Sequence, residues 1–193
     1  LIDENGSRKK MPGYSVKAII EDRNGDLLIG TWSAGLLRFR RGGNTFYRYP
    51  RLNATNSAYS LFLDKHDHLW VGTWGYGVVR LDNPGNVRQP EMHQYPYSTN
   101  HFDTFYKIVH DPVTKTLWAC TREGVCYLEE DMPKAEWKGY TSIGNNPLNF
   151  NNDIATDGKG NIWLCTQNNG ILQVNTQPSL FKLWNLDTSH THL

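Results

Sequence analysis

The phrase LLIGTWSAGLLRF, Leu27 to Phe39, returns 42 residues later as LWVGTWGYGVVRL, Leu69 to Leu81, and twice more in altered form as LWACTREGVCYL, Leu117 to Leu128, and IWLCTQNNGILQV, Ile162 to Val174. Its threonine stands at Thr31, Thr73, Thr121 and Thr166, at intervals of 42, 48 and 45 residues. A unit of that size cannot bury an apolar face alone and must stack on its neighbours, so the repeat confines the chain to an array. A period of roughly 40 to 50 residues suits four-stranded propeller blades better than the shorter leucine-rich or ankyrin units.

Each copy reads as four short strands. In the first, VKAIIED (Val16 to Asp22) and LLIGT (Leu27 to Thr31) flank the turn RNGD, GLLRF (Gly35 to Phe39) follows, and FYRY (Phe46 to Tyr49) ends at Pro50. Short β-branched and aromatic runs punctuated by Asn-Gly and Gly-Gly signal a meander, and no segment longer than about ten residues carries helical periodicity. The later copies begin with Ala58 to Asp64, Phe105 to Asp111 and Asn152 to Asp157, and end with Met92 to Tyr95, Trp137 to Tyr140 and Phe181 to Trp184. The expectation is an all-β fold, a partial β-propeller over residues 1–193 with repeats at about 16–50, 58–96, 105–141 and 152–187.

Positions on which the copies agree are those every blade needs in order to fold. Trp70, Trp118 and Trp163, with Leu28 in the first copy, are expected in the core, and Gly35, Gly77, Gly124 and Gly170 at the entry to the third strand. Cys120 and Cys165 replace Gly30 and Gly72, and Cys126 replaces Leu37, Val79 and Leu172. They read as small buried packing positions rather than metal ligands, with a Cys120–Cys126 disulfide as the lesser alternative. Arg23, Lys65 and Lys159, in turns on which the copies differ, are expected to be exposed.

A content of 38% hydrophobic and 12% aromatic residues is enough for a packed core. Twenty basic against 19 acidic residues leave a formal charge of +1 without a long basic block, which argues against nucleic acid as a partner of this segment. No apolar run approaches the ~20 residues of a membrane span, so membrane insertion by this segment is not expected. The beginning LIDENG resembles the end of a third strand and the finish NLDTSHTHL a link toward another blade. The expectation is a piece of a longer propeller, with self-association or the remaining blades covering its open sides.

The stretch IIEDRNGDLLIGTWSAGLLRF, Ile19 to Phe39, resembles the propeller repeat of bacterial two-component regulators: an apolar strand, Asp, an Asn-Gly turn, Leu-Trp-Ile-Gly-Thr, Gly-Gly-Leu and an aromatic ending. Copies three and four depart from it at Cys120 and Cys165, and copy three has DPVTKT in place of the Asn-Gly turn. The resemblance implies about four blades of a seven-bladed ring in the extracytoplasmic sensor of a hybrid histidine kinase. It further implies a periplasmic location as part of an inner-membrane protein, a role in signal transduction, and a response to polysaccharide breakdown products.

Three places could carry chemistry. Asp22-x-Asn24-Gly25-Asp26 spaces its carboxylates like a calcium loop, but without the later glutamate and helices it reads as an Asx/Gly turn, and no metal is expected. A lyase would need a histidine base beside acidic or metal groups, whereas His66 and His68 fall in a turn on one side of the array and His101 in a loop on the other. No catalytic residue and no cofactor is therefore expected. The third place is the face where the second-to-third-strand loops emerge with the links RLNATNS, YSTNHFDT and SIGNNPLNFNN. Aromatic planes and Asn side chains there suit an oligosaccharide, and the candidate ligand-binding residues are Trp32, Trp74, Tyr76, Arg122 and Asn168. A structural or protein-interaction propeller is the alternative.

Overall fold

The computed structural model describes residues 15–43, 45–52, 56–95, 104–129, 136–148, 151–167 and 169–176. They fall into two compact units, divided between Pro96 and Tyr97. Arg41–Gly43 forms a 3-10 turn, and every strand pairing described is antiparallel.

In the first unit, β1 (Val16–Glu21), β2 (Leu27–Thr31), β3 (Leu36–Arg40) and β4 (Thr45–Arg48) form one sheet in chain order, and β5 (Ser60–Leu63), β6 (Leu69–Gly72), β7 (Val78–Leu81) and β8 (Met92–Tyr95) form a second. Side chains alternate across a strand. Leu28 and Leu36 therefore point at the second sheet and meet Leu69, Val71, Val79 and Leu81, whereas Ile29, Leu37 and Phe39 form a separate cluster on the opposite face. The glycine of the Gly-Thr pair has a steric reason in the first copy: a Cβ on Gly30 would lie 2.6 Å from the carbonyl oxygen of Ala58.

The second unit holds β9 (Phe105–Asp111), β10 (Thr116–Thr121), β11 (Val125–Glu129) and β12 (Lys138–Tyr140) in one sheet, and β15 (Asn151–Thr156), β16 (Asn161–Thr166) and β17 (Ile171–Asn175) in another. Between them β13 (Ser142–Ile143) and β14 (Asn146–Pro147) make a ribbon that the sequence reading assigned to a link. Residues 181–184, expected as the last strand of the fourth copy, lie outside the described residues.

Trp70 and Trp118 are buried, at 3% and 6% exposure, but Trp163 is 37% exposed, against expectation. The cause is the alternation of the strand. Trp118 and Cys120 share the face that packs on Ile162, Leu164, Leu172 and Val174 of the following sheet. Trp163 and Cys165 point to the other side of β16, and no sheet among the described residues of this unit covers them. Cys165 is exposed for the same reason, which corrects its reading as a buried packing position. Cys120 and Cys126 are buried and free. Cys126 pairs with Ala119 and Cys120 with Val125, so the two thiols project from opposite faces and no bridge can form.

The Asx-turn reading of Asp22 to Asp26 holds. One Asp22 carboxylate oxygen accepts the amides of Asn24 and Asp26 at 2.9 and 3.0 Å, and Gly25 takes the positive φ of 79° that the turn requires. The buried Arg38 occupies the position a cation would take, 2.5 Å from Asp22 Oδ2 and 3.0 Å from Asp26 Oδ2. Arg23, Lys65 and Lys159 are exposed, as expected.

Candidate functional site: an aromatic face on the second-to-third-strand loops

The repeated threonine staples each second-to-third-strand loop. Thr31 Oγ1 donates to Gly35 O at 2.8 Å and accepts the Ala34 amide at 3.0 Å. Thr73, Thr121 and Thr166 donate to Gly77, Gly124 and Gly170 at 2.8, 2.9 and 3.0 Å. On this frame Trp32, Ser33 and Tyr76 stand exposed between threonine and glycine, whereas Ala34 is buried.

In the first unit this frame brings two of the expected residues together. Trp32 and Trp74 meet edge to face with centroids 4.7 Å apart. Backbone bonds fix both, from Trp32 N to Ser15 O at 2.9 Å and from Trp74 N to Ser57 Oγ at 2.8 Å. Tyr59 completes the cluster, 6.1 Å from Trp32 and 5.8 Å from Trp74. Lys17 sets its ammonium 5.4 Å from the Trp32 ring and 5.2 Å from the Tyr59 ring. Trp32 remains 40% exposed, and Tyr76, in the same loop as Trp74, 45% exposed. The exposed Trp32 and the half-buried Trp74 and Tyr59 form an aromatic cluster with a cation over two of its rings.

Sequence reasoning missed Lys17 and Tyr59, and for Lys17 the reason is a bulge. Thr31 pairs with Val16 and Gly30 with Ala18, so Lys17 is an extra residue aimed toward the loops. The same shift recurs in β9, at Tyr106, and in β15, at Asn152. Tyr59, whose amide bonds Gly72 O while Ser60 pairs with Gly72, stands at the equivalent place in the second sheet. The available signal was the residue fourteen or fifteen positions before each repeated threonine.

Of the other expected residues, Arg122 belongs to the second unit, half-buried and 3.3 Å from Glu123 Oε1. Asn168 lies outside the described residues, as do His101 and the link 97–103.

Other polar clusters look structural. Burial alone would raise the pKa of Asp64, but hydrogen bonds from Trp70 Nε1 and the His68 and His66 amides outweigh it and hold the carboxylate below its ordinary value. His68, with Nδ1 3.0 Å from Asp64 Oδ2, serves that turn rather than an open site. Asp82, Glu91 and His93 bring potential ligand atoms within 4.8 Å of one another. Arg80, however, forks onto Asp82 at 2.6 and 3.0 Å and already balances its charge, which disfavours a cation there.

The two-sheet stacks of three- and four-stranded meanders are blades of a β-propeller. Residues 10–33 and 54–75 match the family model described as two component regulator propeller. Among solved structures it is similar to PorZ, a surface component of the type-IX secretion system of Porphyromonas gingivalis, with 16% identity over 90% of this chain and 28% of that one and a TM-score of 0.69. It is similar to virginiamycin B lyase from Staphylococcus aureus, with 12% identity over 90% of this chain and 61% of that one and a TM-score of 0.59. It also matches the extracellular domain of the putative hybrid two component system BT3049 from B. thetaiotaomicron, with 23% identity over 89% of this chain and 22% of that one and a TM-score of 0.45. The chain thus spans less than two thirds of each of these proteins. No curated protein matches it in sequence. No helix among the described residues is long and apolar enough to cross a membrane.

Proposed function

We propose that this chain is a ligand-sensing, non-enzymatic segment of the extracytoplasmic propeller of a two-component sensor, on the periplasmic side of the membrane, and that it reads an oligosaccharide with the aromatic face of its first unit. The observation that carries this reading is the cluster of the exposed Trp32 with the half-buried Trp74 and Tyr59 under Lys17, built beside loops where the copies differ and the strands agree. Sugar rings present apolar C–H faces and polar edges, and rigid aromatic planes bind such faces at little conformational cost. The two-component regulator propeller match supports the sensor role. Asp64 spends its hydrogen bonds on its own turn and Trp70, and Asp111 on Thr114 and Thr176, which supports binding rather than catalysis.

The test is a saccharide-array screen followed by calorimetry on the array hits. Trp74→Ala, which keeps the backbone bond to Ser57, is expected to weaken binding about tenfold or more, or about 1.4 kcal/mol, while leaving the fold intact. Unchanged affinity in both Trp32→Ala and Trp74→Ala would move the site elsewhere.

A further inference from the structure

Lys17 is the residue for which the first ladder has no place. Its neighbours Val16 and Ala18 pair with Thr31 and Gly30, which are adjacent in the chain, so Lys17 is extruded beside the loop that carries Trp32. Trp32 N donates to Ser15 O at 2.9 Å and closes the ladder beyond the bulge. We propose that Lys17 is a positioning residue of the aromatic face, whose ammonium holds the Trp32 and Tyr59 rings in the arrangement on which a sugar ring stacks. This role rests on the saccharide reading given above and adds a residue on which affinity depends through the rings.

The ammonium lies 5.4 Å from the centroid of the Trp32 ring and 5.2 Å from that of Tyr59, both inside the roughly 6 Å over which a cation and a ring quadrupole attract. Trp32 follows β2 of the first sheet and Tyr59 precedes β5 of the second, so one ammonium bridges side chains of two sheets. The acidic side chains of the first sheet are matched by other cations, Asp22 and Asp26 by Arg38 and Glu21 by Arg41. Lys17 therefore draws on the rings rather than on those carboxylates.

Holding the rings matters because Trp32 is 40% exposed. A large side chain that turns between rotamers in the free protein has to be ordered when a ligand arrives, and that ordering subtracts from affinity. Trp74 restrains the Trp32 ring edge to face at 4.7 Å, and Lys17 restrains it from the bulge, so the platform is ordered in advance.

A cation at this place is not a requirement of the fold. In the second copy the equivalent two positions hold Tyr59 and Trp74, both aromatic. In the third, the bulge residue is Tyr106 and the residue after the threonine is Arg122, so aromatic and cation have exchanged places.

The experiment reads the Trp32–Trp74 pair on the intact chain, through the exciton couplet that two close indoles give in far-ultraviolet circular dichroism. Trp74→Phe should abolish the couplet and so assigns it. Lys17→Met and Lys17→Gln, which remove the charge with and without a long apolar stem, are expected to reduce the couplet to about half or less at an unchanged melting temperature. Lys17→Arg should restore it. Calorimetry with cellotriose and with maltotriose measures the consequence: the affinity of the trisaccharide that binds should fall about fivefold in both neutral variants and return in Lys17→Arg. An unchanged couplet in the neutral variants, or a loss of the whole fold in both, overturns the positioning role. A couplet that Lys17→Arg does not restore overturns the charge as its cause. A couplet that changes while the affinity stays the same overturns the link to binding. A couplet that changes as expected, with neither trisaccharide bound by the unaltered chain, upholds the positioning of the rings and counts against the saccharide reading instead.

Discussion

Arg38 shows how one residue closes a question the sequence leaves open. Its side chain is 3% exposed and bonds both carboxylates of the first turn as well as Pro84 O. Removing one partner of such a group leaves buried charge unpaired, so Arg38→Ala should cost about 3–5 kcal/mol in urea denaturation. A loss below about 1 kcal/mol would show the pair to be dispensable. The cysteines give a second residue-scale expectation. Burial raises the Cys120 thiol to about 12 and the Cys126 thiol well above its ordinary value, whereas Cys165 is exposed. Iodoacetamide on the native chain should label Cys165 first, with Cys120 and Cys126 labelled only on unfolding, as mass spectrometry would show.

At the scale of the element, equivalent positions in equivalent strands differ in burial because a strand's face is covered by the next sheet, not by its own. Trp118 stacks on Tyr127 at 5.1 Å, donates to Thr116 Oγ1 at 2.8 Å and packs on the β15–β17 sheet. Trp163 holds the same place in β16 and is 37% exposed. Trp118→Ala should therefore cost about 3–5 kcal/mol, and Trp163→Ala less than half of that, in parallel thermal melts. Equal losses would mean that Trp163 is covered in solution. The strand positions were legible because each copy repeats the same alternation: β2, β8 and β9 begin and end where the pattern places them. The ribbon β13–β14 was not legible, since a two-residue pairing across a Gly-Asn turn has too few residues for any period to show.

For the whole molecule, pH is the lever that both units share. Asp64, Asp82 and Asp111 are desolvated, which would raise their pKa, yet their hydrogen bonds and, for Asp82, the Arg80 guanidinium hold all three below the ordinary 3.8. A carboxylate whose folded pKa is depressed stabilises the fold in full above its unfolded pKa and loses that contribution as pH falls through the folded value. The contribution of these groups should stay constant from neutral pH down to about 5 and fall below about 4. Asp111 bonds Thr114 and, 65 residues away, Thr176, so Asp111→Asn should flatten the acid limb of the stability curve. An unchanged acid limb in that variant would assign the effect to other carboxylates.

The blades were written in local chemistry, because a repeat of fixed period spells out strand, turn and strand: alternating apolar residues, the Asx turn and the threonine that returns to its glycine. The pattern also placed Trp32, Trp74 and Tyr76 in the loops where copies diverge. Which of these residues touch depends on the packing of one sheet on the next. Lys17 reaches the aromatic face through a bulge that shifts one residue out of register, and Tyr59 reaches it from the start of the second sheet to meet both Trp32 and Trp74. Those juxtapositions depend on how neighbouring sheets pack, and a repeat pattern carries no record of the distance between its copies.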